Sequence, residues 1–385
     1  MIAFNKELLN NTVLVNEAEN LKNSGFISKD QLNTIEAKLP TLKNHKNILV
    51  RIGFFLLGCF LYSSICGTVS IVFLSGLDQH YKILIFLFAI IGFAGSEILA
   101  KNKFKSHGLD DAFVLGSQGC LFVAIGVADF EPIAVLIAMA IVGFLCCLRY
   151  CYALSALISW VGIVGFFADL IVEEKMINMS FLPFIMLFLA IIIYFVYTKL
   201  MAASKIYYKK SLLVIQVLTL LLGYASMNYL VVRELSQELM DFVVTPGTDI
   251  PFAFFFYGLT FLIPLFYIVY ALLKKDKPML YVGGITLGFS FYTIRYYYSA
   301  LPLEMALIIG GSFLFAVSYL AIHKLKINKT GVTFMPDRNE NNTILSNLEA
   351  VVVNSQVNLK GAAVTEQKMP FGGGGFSGGG SGGSY

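Results

Sequence analysis

Residues 82–105 read KILIFLFAIIGFAGSEILAKNKFK. A bilayer hydrocarbon core is crossed by about 20 consecutive apolar residues in a helix, and this run meets that length. It closes on three lysines, Lys101, Lys103 and Lys105. The same alternation of long apolar run and short connector extends in both directions. We place helical spans at 48–75, 82–100, 109–128, 132–148, 152–172, 180–199, 211–232, 251–273, 278–297 and 301–322, about ten in all.

The connectors are not alike. Every second one is basic: Lys43, Lys46 and Arg51; Lys101, Lys103 and Lys105; Arg149; Lys199, Lys205, Lys209 and Lys210; Lys274, Lys275 and Lys277; Lys324, Lys326 and Lys329. The intervening connectors and helix ends hold few cations (Lys82, Lys175, Arg233 and Arg295). They are instead acidic, with Asp78, Asp129, Glu131, Glu173, Glu174, Glu234, Glu238, Asp241 and Asp249. Lys and Arg stay on the cytoplasmic side because they resist translocation. The pattern therefore predicts an all-α, polytopic transmembrane helix bundle in a bacterial inner membrane, with both termini cytoplasmic.

Composition points to the same solvent. Of 385 residues, 57% are hydrophobic and 14% charged, and the mean hydropathy is +0.74. Soluble domains carry about 25% charged residues, so this chain has too few to cover an apolar core of its size. The net charge of +4 is spread over many membrane-edge clusters, which gives no nucleic-acid signature. The six cysteines lie in or beside apolar runs and read as small packing residues rather than a disulfide framework. No histidine falls in the middle of a span, and we expect no metal site and no cofactor.

Residues 1–47 read as a small cytoplasmic helical hairpin. Leu14, Ala18 and Leu21 share one helical face. Gly25 suits the position that ends a helix. Ser28 and Gln31 form a capping box for a second helix, with Ile27 and Leu32 as a hydrophobic staple. Leu32, Ile35 and Leu39 continue the apolar face, and Pro40 stops it. The transmembrane domain then occupies 48–322 and a cytoplasmic tail 323–385. Residues 371–385 are rich in Gly and Ser. Such a composition buries too little surface to offset its ordering entropy, so we expect disorder there. Phe371, Phe376 and Tyr385 offer a recognition tag for a protein partner.

Ionisable and polar groups near the hydrocarbon are costly and are site candidates by default. Arg295 lies within the tyrosine-rich run Tyr292–Tyr298, and a short turn should return Glu304 beside it. Arg295, Glu304, Tyr292 and the deeper Gln118 are therefore candidates for binding a small polar or anionic solute; a structural ion pair in an interfacial tyrosine belt is the favoured account of the first three. Glu97 and Lys101, one turn apart, read as an ion pair at the inner edge. Asp110 and Asp111 open the third span, where a helix N-terminus favours negative charge. Arg149 closes the fourth. Gly92 with Gly95, Gly162 with Gly165, and Gly284 with Gly288 read as close helix contacts. Pro264 should kink the eighth span.

The segment from Leu21 to Leu32, Leu-Lys-Asn-Ser-Gly-Phe-Ile-Ser-Lys-Asp-Gln-Leu, followed by a basic linker and a train of spans, resembles the hairpin of the DUF2157 family of bacterial membrane proteins. The resemblance covers the hairpin and about the first four spans, and it implies a layout rather than an activity. Hydrolase, metalloprotease and phosphate-loop motifs are missing from the sequence, so a non-enzymatic role is expected. The reading is a solute transporter or permease. The alternative is a membrane scaffold or sensor that binds partners through its hairpin and tail.

Overall fold

The computed structural model describes residues 2–45, 47–72, 77–128, 130–173, 178–240 and 249–297, with isolated helical positions between 305 and 323. Most of the expected tenth span and the tail from 324 onward lie outside these, as do Glu304 and Lys46. Twelve helices form among the described residues. A short hairpin is built from α1 (Lys6–Asn23) and α2 (Lys29–Lys38). There follow α3 (Ile48–Val72), α4 (Leu77–Lys101), α5 (Leu109–Val127), α6 (Pro132–Tyr150), α7 (Ala153–Val172) and α8 (Leu182–Ala203). The series closes with α9 (Lys209–Ala225), α10 (Tyr229–Met240), α11 (Ala253–Lys274) and α12 (Lys277–Tyr297). No β-strand forms among the described residues; a single bridge pairs Lys43 with Phe104.

Residues Glu7–Thr41 pack as one compact unit, and the first six residues belong with the chain from Leu42 onward. In the hairpin, Gly25 takes φ +79°. Its N–H bonds the Lys22 carbonyl, and the Phe26 N–H reaches back to Leu21. This pair of bonds is a Schellman ending, and a residue with Cβ would be strained there. The capping box is complete: Gln31 N donates to Ser28 Oγ at 3.2 Å, and Ser28 N donates to Gln31 Oε1 at 2.8 Å. Asn11 Nδ2 donates to Pro40 O and ties the two helices. On α1 the fully buried positions include Leu9, Val15 and Ala18. The expected Leu14 and Leu21 are only half-buried.

Among the described residues, eight helices are long and apolar enough to cross a membrane: α3 to α9 and α11. Their outward faces carry Leu56, Phe60, Ile141, Phe188, Phe195, Leu262 and Phe266, each more than half exposed to the surroundings. Water would leave such surfaces unstable, and lipid satisfies them. The chain is a multi-pass membrane protein. The expected ninth span, α12, has the length, but its tyrosines, glycines and hydroxyls dilute its apolar content.

The seventh span is the main correction. It was expected at 211–232, but the helix stops at Ala225 and a new one starts at Tyr229. With 12 residues, α10 is about 18 Å long at 1.5 Å per residue and cannot cross. Ser226 and Asn228 supply the physical reason, since short polar side chains compete with helical backbone bonds and favour caps.

Close packing depends on glycine where backbones meet. A Cβ on Gly162 would lie 2.4 Å from Ala140 N, and one on Gly143 would lie 2.6 Å from Ser159 N. The α6–α7 interface therefore excludes larger residues. Gly92 and Gly95 pack against Ser117 and Phe113 of α5, as expected. Gly284 and Gly288 do not: no described neighbour lies within 4 Å of a Cβ at either. Gly283 faces α11 instead, with Ile268 N 3.2 Å from its Cβ position. All six cysteines are free thiols.

Candidate functional site

Around the α9–α10 break the sequence places polar side chains where lipid-embedded helices rarely keep them. Asn228 caps α10: its Oδ1 accepts from Val231 N at 3.2 Å, the third N–H of the new helix. That bond fixes the amide orientation, so Nδ2 faces the bundle. It donates to Tyr224 Oη at 2.8 Å and to Thr293 Oγ1 at 3.0 Å. Tyr224 Oη and Ser290 Oγ lie 2.8 Å apart, and Ser290 Oγ donates to Thr260 O at 2.6 Å. Pro264 has no N–H to offer the carbonyl four residues earlier, so Thr260 O is free to accept Ser290. Thr260 Oγ1 in turn accepts from Tyr229 N at 3.0 Å. Asn228, Ser290, Thr260 and Thr293 are all at most 2% exposed. α9, α11 and α12 are thus joined by side chains that neither water nor lipid reaches.

At the acidic end, next to this network, Arg233 stands in a tyrosine cage. Its guanidinium lies 4.4 Å from the ring centre of Tyr297 and 5.8 Å from that of Tyr229, within cation–π range. Arg233 Nη1 donates to Tyr229 Oη at 2.8 Å, and that hydroxyl donates to Asp249 Oδ1 at 2.6 Å. Tyr257 stacks on Tyr229 at 4.0 Å, and Tyr297 Oη donates to Glu234 Oε1 at 2.5 Å. Arg233 Nε is buried and has no acceptor among the described residues.

A second polar centre lies at the Lys-rich end. Asp110 accepts from the backbone N–H groups of Ser106, His107 and Gly108 at 2.7, 2.9 and 3.1 Å. Asp111 Oδ2 accepts from Arg51 Nε at 2.6 Å. Glu97 binds Arg149 through a two-point contact and also accepts from Tyr150 Oη at 2.7 Å. The loop that builds this centre is strained: Lys103, Ser106 and Cys151 take positive φ, as does Gly108. A cavity of about 20 Å³ lies here, bounded by Phe4, Lys105, Ser106, Asp111, Cys151 and Tyr152 among others. Burial holds the Lys105 ammonium below the usual lysine range, partly offset by Cys151 and Asp110. His45 Nε2 and His107 Nε2 lie 2.9 Å apart, and both rings pack on Phe54.

The expected site residues fall in different places. Arg295 is on α12, two residues past Thr293 and so on the other side of that helix from the buried stripe Met279, Val282, Thr286, Ser290 and Thr293. Its Nη1 is buried without a partner among the described residues. Tyr292 is 52% exposed, and Glu304 lies outside the described residues. Gln118 is fully buried and donates to Val114 O and Ser155 Oγ, both at 2.9 Å. It belongs to the α5–α7 contact and is not brought to Arg295. Glu97 finds its hydrogen-bonded partner in Arg149 rather than Lys101. Asp110 and Asp111 do open α5, but with different partners. Sequence reasoning missed Asn228, Arg233 and the α9 break. The available signal was Ser226-Met-Asn228, polar residues inside the expected span 211–232, with Arg233-Glu234 directly after it.

No protein-family model, curated protein or solved structure matches this chain. The likeness of the N-terminal hairpin to a known family therefore rests on its own residues.

Proposed function

We propose that the protein carries a small polar or anionic solute across an inner membrane, with the α9–α12 unit supplying the path and the Lys-rich end toward the cytoplasm. The carrying observation is the interrupted helix α9–α10. Its break is buried, polar and faced by two further helices, one of which has a carbonyl released by Pro264. Interrupted helices of this kind provide the polar groups from which membrane transporters build solute sites. Arg233, in its tyrosine cage with an unpaired Nε, is the cation best placed to meet a solute at the acidic end. It takes the role first read into Arg295. The orientation is supported by the gathering of basic connectors at one end: Lys43 pairs with the Lys103–Lys105 loop, Ala3 N bonds Arg149 O, and Tyr208 Oη bonds Leu148 O.

One observation favours the scaffold or sensor reading. The Asn228–Tyr224–Ser290–Thr293 network is internally paired, as a dry structural joint would be. Thermal stability of the purified protein against a panel of small anions, amino acids and sugars separates the two. A ligand that binds the folded state raises Tm by mass action. Transport predicts a shift in the wild type that is lost in Arg233→Met. If no panel member shifts Tm and Arg233→Met is as stable as the wild type, the scaffold reading takes its place.

A further inference from the structure

Asp110 and Asp111 are chain neighbours at the start of α5, yet their surroundings differ sharply. Asp110 is held by three backbone N–H donors. Asp111 has a donor on one oxygen only. Oδ2 accepts from Arg51 Nε, while Oδ1 is buried with no hydrogen-bond partner among the described residues. The residue is 4% exposed. An ionised oxygen left without a hydrogen bond in such a place is costly. A proton on Oδ1 lowers that cost, because a neutral hydroxyl is cheaper to bury than a charged oxygen, and also relieves repulsion from Asp110.

The opposing force is Arg51. Its side chain is 36% exposed, so solvent screens part of its attraction. The Tyr152 hydroxyl, from the α6–α7 turn, also acts on the carboxyl as a donor that favours the ionised form, and Lys105, Tyr150 and Cys151 share the cavity with it. The cavity has room for about one water molecule, which is what a proton needs to enter and leave a buried carboxyl.

We propose that Asp111 is a reversible proton-binding site. Protonation converts the carboxylate to a carboxylic acid with the proton on Oδ1, and the Arg51–Asp111 pair gains one positive charge. The site goes beyond the transport reading and stands whether or not a solute is carried.

Infrared difference spectroscopy of the full chain in lipid nanodiscs, between about pH 5 and about pH 9, tests it. Aspartate labelled with ¹³C at the carboxyl carbon separates its carboxylic-acid band from that of glutamate. The expected result is an isotope-shifted band present at the acid end, lost at the alkaline end and absent in Asp111→Asn. Absence of any labelled carboxylic-acid band in the wild type overturns the proposal, as does a band that persists in a folded Asp111→Asn variant. If that variant does not fold, Arg51→Gln decides. Removing the cation should move the titration of the band to higher pH, and an unmoved midpoint overturns the assignment.

Discussion

Asn228 shows how much one side chain can hold. It ends one structure and begins another, capping α10 through Oδ1 while Nδ2 joins Tyr224 and Thr293. Asn228→Ala removes the cap and takes one buried hydrogen bond each from Tyr224 and Thr293, which keep Ser290 and the Phe289 carbonyl, and should cost about 1–3 kcal/mol in detergent unfolding. Asn228→Asp keeps the cap but not the donors and should fall between. His107 gives a residue-scale pH prediction. Its Nδ1 is buried without a partner among the described residues, so the arrangement that strands no N–H has His107 Nε2 donating to His45. Burial, then His45, push the imidazole below its usual value of 6.5, with Asp110 opposing and Lys43 adding to the depression. The folded form takes up a proton less readily than the unfolded chain. This contribution to stability is therefore whole above about 6.5 and is lost as the pH falls through the lower folded value. Tm should drop on acidification in that window, and His107→Phe should drop less; equal slopes would remove the assignment.

At the scale of elements, glycine and proline carry different messages in different helices. The α6–α7 contact closes on Gly143 and Gly162, with Ser159 Oγ donating to Ala140 O at 2.8 Å. Gly162→Leu should destabilise the bundle by about 1–3 kcal/mol or misfold it, because the neighbour is backbone and cannot yield. Gly284→Leu, with no described neighbour within 4 Å of its Cβ position, should leave Tm almost unchanged. A larger loss at position 284 than at 162 would reverse this account of the packing. These glycines were legible as small residues in an apolar helix, but not as contacts. The 284/288 spacing looked as persuasive as the 162/165 spacing, and only the position of α11 against Gly283 decides between neighbouring faces. Pro264 was legible as a defect in a helix. That its released carbonyl would be taken up by Ser290, from another helix, was not.

For the whole molecule, the Lys/Arg alternation makes a prediction that needs no ligand. In a cysteine-free background, Lys103→Cys and Lys205→Cys should react with an impermeant thiol reagent from one side of the membrane, and Glu173→Cys from the other. Labelling of 103 and 173 from the same side would break the proposed topology. The sequence by itself determined the solvent, the helical class, the hairpin with its capping box, and most of the spans. These follow from one-dimensional quantities: run length, apolar content, and the cost of leaving backbone groups unpaired in lipid. It did not determine which polar residues meet. Glu97 was assigned to Lys101 by spacing, yet Arg149, 52 residues away, holds it. Asn228 was absorbed into a span, and Arg233 was read only as a cation at its end. Partner choice depends on which helix faces which and at what rotation. Those are set by side-chain packing across the bundle, and only the tertiary structure decides them.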